Sequence, residues 1–218
     1  MTAGRVVISD NKDWGTPRKY VEAVRRFFGG EIALDPCSNE YSIVKASAEY
    51  VVPDRDGLVE SWNYRTIYVN PPYGADQARG TRIGDWLLRC AAAHLQHGSE
   101  VLALVPVATN TSHWKRHVWG AATAVCFLYD TRLRFLVRGL DEGKGAPMSC
   151  AMIYWGCDCE AFLEEFLQFG AVVDLRALRG RRIGTHVSAG KTSEETRRQP
   201  QISFGANLFP TTETVTDR

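Results

Sequence analysis

The chain has no apolar run long enough to span a bilayer, so no membrane partner is expected. Met1 to Asp10 lack a basic start followed by a long apolar stretch, so no secretory signal is read there. An excess of charge is also missing: 26 Lys and Arg against 25 Asp and Glu leave a formal net charge of +1. That excludes a strongly basic, non-specific nucleic-acid binder, and any DNA contact has to come from local patches. The candidate patches are Lys115 and Arg116, then Arg132, Arg134 and Arg138, then Arg179, Arg181 and Arg182; the second is favoured. Metal-ligand spacing is scarce as well. Cys157 and Cys159 have no second pair at zinc-site spacing. His113 and His117, one helical turn apart, lack a third ligand nearby, so no metal is expected. The six scattered cysteines read as reduced thiols of a cytosolic protein. There are no internal repeats.

What is present is an ordinary globular composition, with 44% hydrophobic and 23% charged residues over 218 positions. That length suits one domain with a tail. Thr16 as N-cap and Pro17 at the first helical position predict a helix, with Tyr20, Val24, Phe27 and Phe28 inward. Gly29-Gly30 stops it, and Ile32 to Leu34 is a short strand ending at Asp35-Pro36. The pattern from Cys37 to Asn63 is weak. Thr66 to Val69 reads as a buried strand. Ala75 to Arg82 is a polar loop, and Ile83 to His97 a helix with Trp86, Leu87, Cys90, Ala91 and Leu95 inward. Val101 to Val105 is a strand, Ser112 caps a short helix through Trp119, and Val125 to Tyr129 is another strand. Arg132–Val137 and Cys150–Trp155 read as arms of a hairpin around a charged, Gly-containing loop from Arg138 to Pro147. Phe162 to Phe169 and Ala171 to Leu175 complete the pattern as helix and strand. Strands alternating with helices imply an α/β fold with a mostly parallel sheet, and the hairpin implies an antiparallel edge strand. The chain is polar and aperiodic from Ser188 onward and reads as a flexible tail, with an apolar island from Phe204 to Phe209.

The sharpest feature is Asn70-Pro71-Pro72-Tyr73, followed by Gly74. Two prolines cannot continue a hydrogen-bond ladder, so the strand ends there in a rigid turn. Open α/β sheets bind ligands at that edge. The Asn70 amide oxygen and the Pro71 carbonyl can accept from an NH2 group, and Tyr73 can stack on a flat ring. That suits a planar amine, such as the exocyclic amine of a nucleobase.

Several further pieces occur in a fixed order. They are Asp13-Trp14-Gly15-Thr16-Pro17, Leu34-Asp35-Pro36-Cys37-Ser38, and Asp56-Gly57-Leu58 with Trp62. After the Asn70 turn come Leu104-Val105-Pro106, Thr109-Asn110-Thr111 with Trp114, and Arg132-Leu133-Arg134-Phe135. With these pieces the chain resembles the S-adenosylmethionine-dependent amino-methyltransferases, and more closely the small phage-type DNA N6-adenine methyltransferases. The resemblance implies a Rossmann-like methyltransferase fold over residues 13–178, with helices on both faces of the sheet and the tail over 188–218. It implies methyl transfer from S-adenosylmethionine to N6 of an adenine flipped out of double-stranded DNA. It makes Asn70, Pro71, Pro72 and Tyr73 the catalytic turn. Cofactor contacts are implied for Thr16, Pro17, Asp35, Pro36, Cys37, Ser38, Asp56, Leu58 and Asn70, and substrate contacts for Tyr73, Asn110, Arg134 and Phe135. A phage or prophage origin in a bacterial cytoplasm follows from the same resemblance.

There are departures. The first cofactor turn, Asp-Pro-Cys-Ser-Asn, lacks the glycines many methyltransferases carry there. Glu40 and Glu49 are the acidic candidates for the cofactor ribose. Ala108 stands where close relatives carry an arginine. Asn70 disfavours cytosine-N4 transfer, whose enzymes usually begin the turn with Ser. Protein-glutamine methylation and a non-catalytic DNA-binding module remain alternatives. Restriction-modification and stand-alone roles both stay open.

Overall fold

The computed structural model describes residues 14–130, 132–141 and 148–181. These all belong to one unit of the chain, Met1–Gly184. The tail expected over 188–218, the Phe204–Phe209 island and Arg182 lie outside the described residues.

A mixed, seven-stranded sheet forms the centre, in the order β3-β2-β4-β5-β8-β6-β9. The strands are β2 (Leu34–Asp35), β3 (Ala48–Glu49), β4 (Thr66–Val69), β5 (Glu100–Pro106), β6 (Ala124–Leu128), β8 (Cys150–Trp155) and β9 (Gly170–Asp174). β3, β2, β4 and β5 pair in parallel. β8 is antiparallel to both β5 and β6, and β9 is antiparallel to β6. Five strands therefore run one way, and the sheet is mostly parallel.

Two expectations fail here. Arg132–Val137 and Cys150–Trp155 are not arms of one hairpin. Leu136–Val137 forms β7, which pairs with β1 (Trp14–Gly15) in a separate two-stranded ribbon. β8 is not an edge strand either. All six of its residues are buried, because a continuous apolar run is stable only with neighbours on both sides. The antiparallel edge is β9.

Burial on alternate sides of each strand places helices on both faces. Leu102 and Leu104 of β5 join a core with helix α1 (Arg18–Phe27) and helix α4 (Cys159–Phe166). Val101, Ala103 and Val105 join the opposite core with α2 (Ile83–His97) and the helical segment formed by α3 (Ser112–Trp114) and the π-helical turn Lys115–Trp119. α2 has the bounds read from the sequence. Its first turn is closed by the Arg82 N–H donating to the Asp85 carboxylate at 2.7 Å. Leu95, expected inward, is 82% exposed; Ala93 takes the inward position instead. Thr16 does not cap α1 either. Its hydroxyl is hydrogen-bonded to the buried Tyr68 hydroxyl at 2.7 Å, and Pro17 occupies the cap position.

Strand order fixes where ligands meet this sheet. From β2 the chain crosses to β3 on one side, then returns past β2 to β4 on the other. The order thus reverses between β2 and β4, and such a switch point opens a crevice at the carboxyl ends of its two strands. Asp35 ends β2, and Asn70 follows β4.

Candidate active site

The cleft at this switch point is lined by Thr16, Asp35, Cys37, Ser38 and Asn70, all cofactor candidates from the sequence. It also takes Trp14, Asn39, Ser42, Ile43 and Val44, which the sequence reading passed over apart from Trp14 and Asn39. Residues 42–44 carry no motif; they reach the cleft only because the chain between β2 and β3 folds back over the strand ends.

Asn70 is held from two sides. Its Nδ2 donates to the Trp14 carbonyl at 3.3 Å, which turns Oδ1 the other way. That oxygen accepts from the Tyr73 hydroxyl at 3.3 Å, and the same hydroxyl lies 3.2 Å from the Leu104 carbonyl. Burial, then nearby Cys150 and Tyr68, push the Tyr73 hydroxyl well above its usual range, so it remains a donor. An amide oxygen has two acceptor positions, and Tyr73 uses one. Among the described residues no main-chain group donates to the Pro71 carbonyl. The turn therefore presents two fixed acceptors.

Asp35 is 4% exposed, and its carboxyl is pushed up to about 7. Burial is the largest cause; the Cys37 N–H, donating to Oδ1 at 3.1 Å, acts the other way, and the Glu49 charge adds to the rise. Among the described residues no cationic side chain acts on it. Beside it, the Ser38 hydroxyl is buried without a hydrogen-bond partner among the described residues. Burial and the Asp35 charge push the Cys37 thiol up, and the Asn70 main-chain N–H works against them, so Cys37 bridges the ends of β2 and β4. A buried carboxylate without a cation and a buried hydroxyl without a partner both carry a cost, and each is relieved by a polar, positively charged ligand.

Not all candidates meet in this cleft. Pro17 lines a second cleft instead. Asp56 is ion-paired with Arg79, and its Oδ1 accepts the Leu58 N–H at 2.9 Å. Asp56 and Leu58 belong to a turn that presses Gly57 against the back of Pro36. A Cβ on Gly57 would collide with the Pro36 carbonyl. Gly57→Ala is thus expected to cost about 1–3 kcal/mol and to disturb the Asp35 turn with it. A thermal melt and calorimetric titration with S-adenosylmethionine would show stability and affinity falling together. Asn110 stands exposed in the loop after β5. Phe135 is buried, with Trp14 stacked on it at 5.5 Å between ring centroids and Tyr73 edge-on at 5.6 Å. Arg134, beside it, is exposed and faces a second cleft. Glu49 ends β3 in register with Asp35, while Glu40 is exposed on the loop.

The chain is an α/β protein with an acid and a locked amide side by side at the switch point of its sheet. Residues 5–180 match the family model of the DNA N-6-adenine-methyltransferases (Dam), and the chain belongs to that family. It is a transferase acting on adenine N6 in DNA. The chain is 24% identical, over 136 residues, to the DNA N-6-adenine-methyltransferase of Haemophilus phage HP1 (strain HP1c1). That alignment covers 62% of this chain and 73% of the phage protein. No solved structure matches. No helix among the described residues is long and apolar enough to cross a membrane.

Proposed function

We propose that the sheet is a Rossmann-like methyltransferase core whose switch-point cleft holds S-adenosylmethionine and whose Asn70 turn receives a flipped-out adenine of double-stranded DNA. One observation carries this reading: Asn70, with its amide orientation fixed, lines the same cleft as the unpaired, buried Asp35. The donor set fits the cofactor. Asp35 matches its amino group, the Ser38 hydroxyl gains the partner it lacks, and Glu49, in register with Asp35, is the acid proposed for its ribose.

When bound, S-adenosylmethionine supplies a methyl group already activated by a sulfonium, so no covalent nucleophile is needed. The protein's task is positioning, which can supply on the order of 7–11 kcal/mol. Asn70 Oδ1 and the Pro71 carbonyl accept the two N–H bonds of the adenine amine. Those bonds favour a pyramidal nitrogen and aim its lone pair into the cofactor cleft. Tyr73 keeps the Asn70 amide from rotating and offers its ring edge and face to the base; base–aromatic stacking offsets about 1–3 kcal/mol of the flipping cost. Phe135 supports Tyr73 from beneath. Pro72, exposed beside them, closes the turn.

The test is N6-methyladenine by mass spectrometry in DNA from a methylation-deficient host making this chain. Modified adenine is expected at a fixed sequence, which the same DNA would reveal on sequencing. Unmodified adenine alongside soluble, folded protein would sink the proposal.

A further inference from the structure

A larger cleft of about 530 Å³ is lined by residues that follow β1 and by Leu136 of β7. Its walls carry Arg18 and Lys19 from the start of α1, and Arg132 and Arg134 from the segment after β6. Pro17, Leu136 and Leu140 give it apolar lining. Lys19 is paired with Asp130 at 2.7 Å, and Asp130 also accepts from the Tyr20 hydroxyl at 2.6 Å. Burial works against that carboxylate, but the Lys19 and Tyr20 hydrogen bonds hold it below its usual range, so it is anionic and already engaged. Arg18, Arg132 and Arg134 have no acidic partner among the described residues. Asp141 also lines the cavity, so four cationic side chains face two carboxylates there, and the excess positive charge favours entry of an anion.

The local sequence explains the placement. Arg132 and Arg134 alternate with Leu133 and Phe135, so the arginines point outward while the two apolar residues are buried. Phe135 touches Tyr73 of the catalytic turn, and Arg134 is its immediate neighbour. Trp14 to Thr16 line the cofactor cleft, while Pro17 to Lys19 line the arginine cleft. The linings of the two clefts are thus contiguous along the chain at Thr16 and Pro17.

We propose that this second cleft binds backbone phosphates of DNA flanking the flipped adenine, with Arg18, Arg132 and Arg134 as the anion ligands. The proposal rests on the DNA-methylating reading and deepens it. Guanidinium groups suit phosphate through paired hydrogen bonds. Because phosphates are the same at every sequence, the cleft would set register and affinity without setting specificity.

The test is anisotropy of two unrelated labelled duplexes with the full chain, from 50 to 200 mM KCl. Arg18→Ala, Arg132→Ala and Arg134→Ala are each expected to weaken both duplexes equally, on the order of 5-fold. The salt slope should fall by about 0.9 for each phosphate that is no longer neutralised. Arg132→Lys keeps the charge and should keep most of the slope. Melting temperature and S-adenosylmethionine affinity serve as controls for folding and should not move. Native chain that makes methyladenine, with variants whose slope is unchanged, would overturn the phosphate assignment and leave the methylation reading standing. An effect confined to one duplex would also overturn it, in favour of base contact. Native chain that makes no methyladenine and binds neither duplex would remove both.

Discussion

Replacing Asn70 with alanine is expected to cut adenine methylation by roughly 10³-fold, with a far smaller loss of cofactor affinity. Losing a single preorganised hydrogen-bonding group at a reacting centre costs about 10²–10³-fold. Here the amide does two further jobs. It is tied to the Trp14 carbonyl and accepts from Tyr73, so its removal also frees the Tyr73 hydroxyl from one of its two acceptors. Both bonds of the amide are 3.3 Å long and shared with partly accessible groups, so the fold loses little, about 1 kcal/mol. The measurement is N6-methyladenine per turnover on duplex DNA at saturating S-adenosylmethionine, beside calorimetry of cofactor binding. A variant that methylates within ten-fold of the native rate would remove Asn70 from the chemistry. A variant that melts far below the native protein would instead make it a structural residue.

The second large effect concerns Asp35, where stability and function are expected to move in opposite directions. Burial holds its carboxyl at about 7 in the folded protein, against an ordinary value of 3.8. In the folded chain the proton is kept up to about pH 7, while the unfolded chain releases it near pH 4. Stability from this group is therefore greatest below pH 4, is lost as pH rises towards 7, and stays lost above it. Asp35→Asn removes that penalty. Asparagine retains an oxygen for the Cys37 N–H, so the cofactor-free variant is expected to be more stable than native protein at pH 8 by roughly 2–4 kcal/mol. The gain should vanish at pH 4. Cofactor binding should go the other way. A cation on Asp35 needs the charged carboxylate, so native affinity should fall about ten-fold per pH unit below 7, while the variant binds weakly at every pH. Thermal melts and calorimetry at pH 4, 6 and 8 check both halves. Equal stability of native and variant at pH 8 would mean that Asp35 carries no desolvation cost. Unchanged affinity would place the amino group of the cofactor elsewhere.

The turn Asp35-Pro36-Cys37-Ser38 has no glycine of its own. Pro36 is buried, and Gly57 lies against its carbonyl, so the glycine that permits close backbone approach sits in the neighbouring turn. Asp-Gly at 56–57 is a local turn signal. That the turn braces Pro36 is a tertiary fact.

By itself the sequence determined the elements whose signals are local. The run Thr66–Val69 and the two prolines after it fixed a strand and its end, because neither depends on distant partners. Helix α2 was legible at both ends because its apolar spacing and its first-turn acid lie within the segment. The Asn70 turn, the Asp35 turn and the arginine–aromatic alternation at 132–135 were all readable for the same reason. Only the tertiary structure decided which of them meet. Residues 136–137 carry the alternation of a strand whether they pair with β8 or with β1, and two-residue pairing between distant segments leaves no local mark. The buried pattern of β8 could not say which strands flank it, since a run buried on both faces looks alike at any interior position. Ser42, Ile43 and Val44 enter the switch-point cleft through a loop whose path is set by what it packs on. Arg18 joins Arg132 and Arg134 at one cavity because α1 begins at the strand ends where the segment after β6 also arrives. Local propensity writes elements into a sequence; long-range pairing brings their residues together, and the chemistry of this protein lies in that meeting.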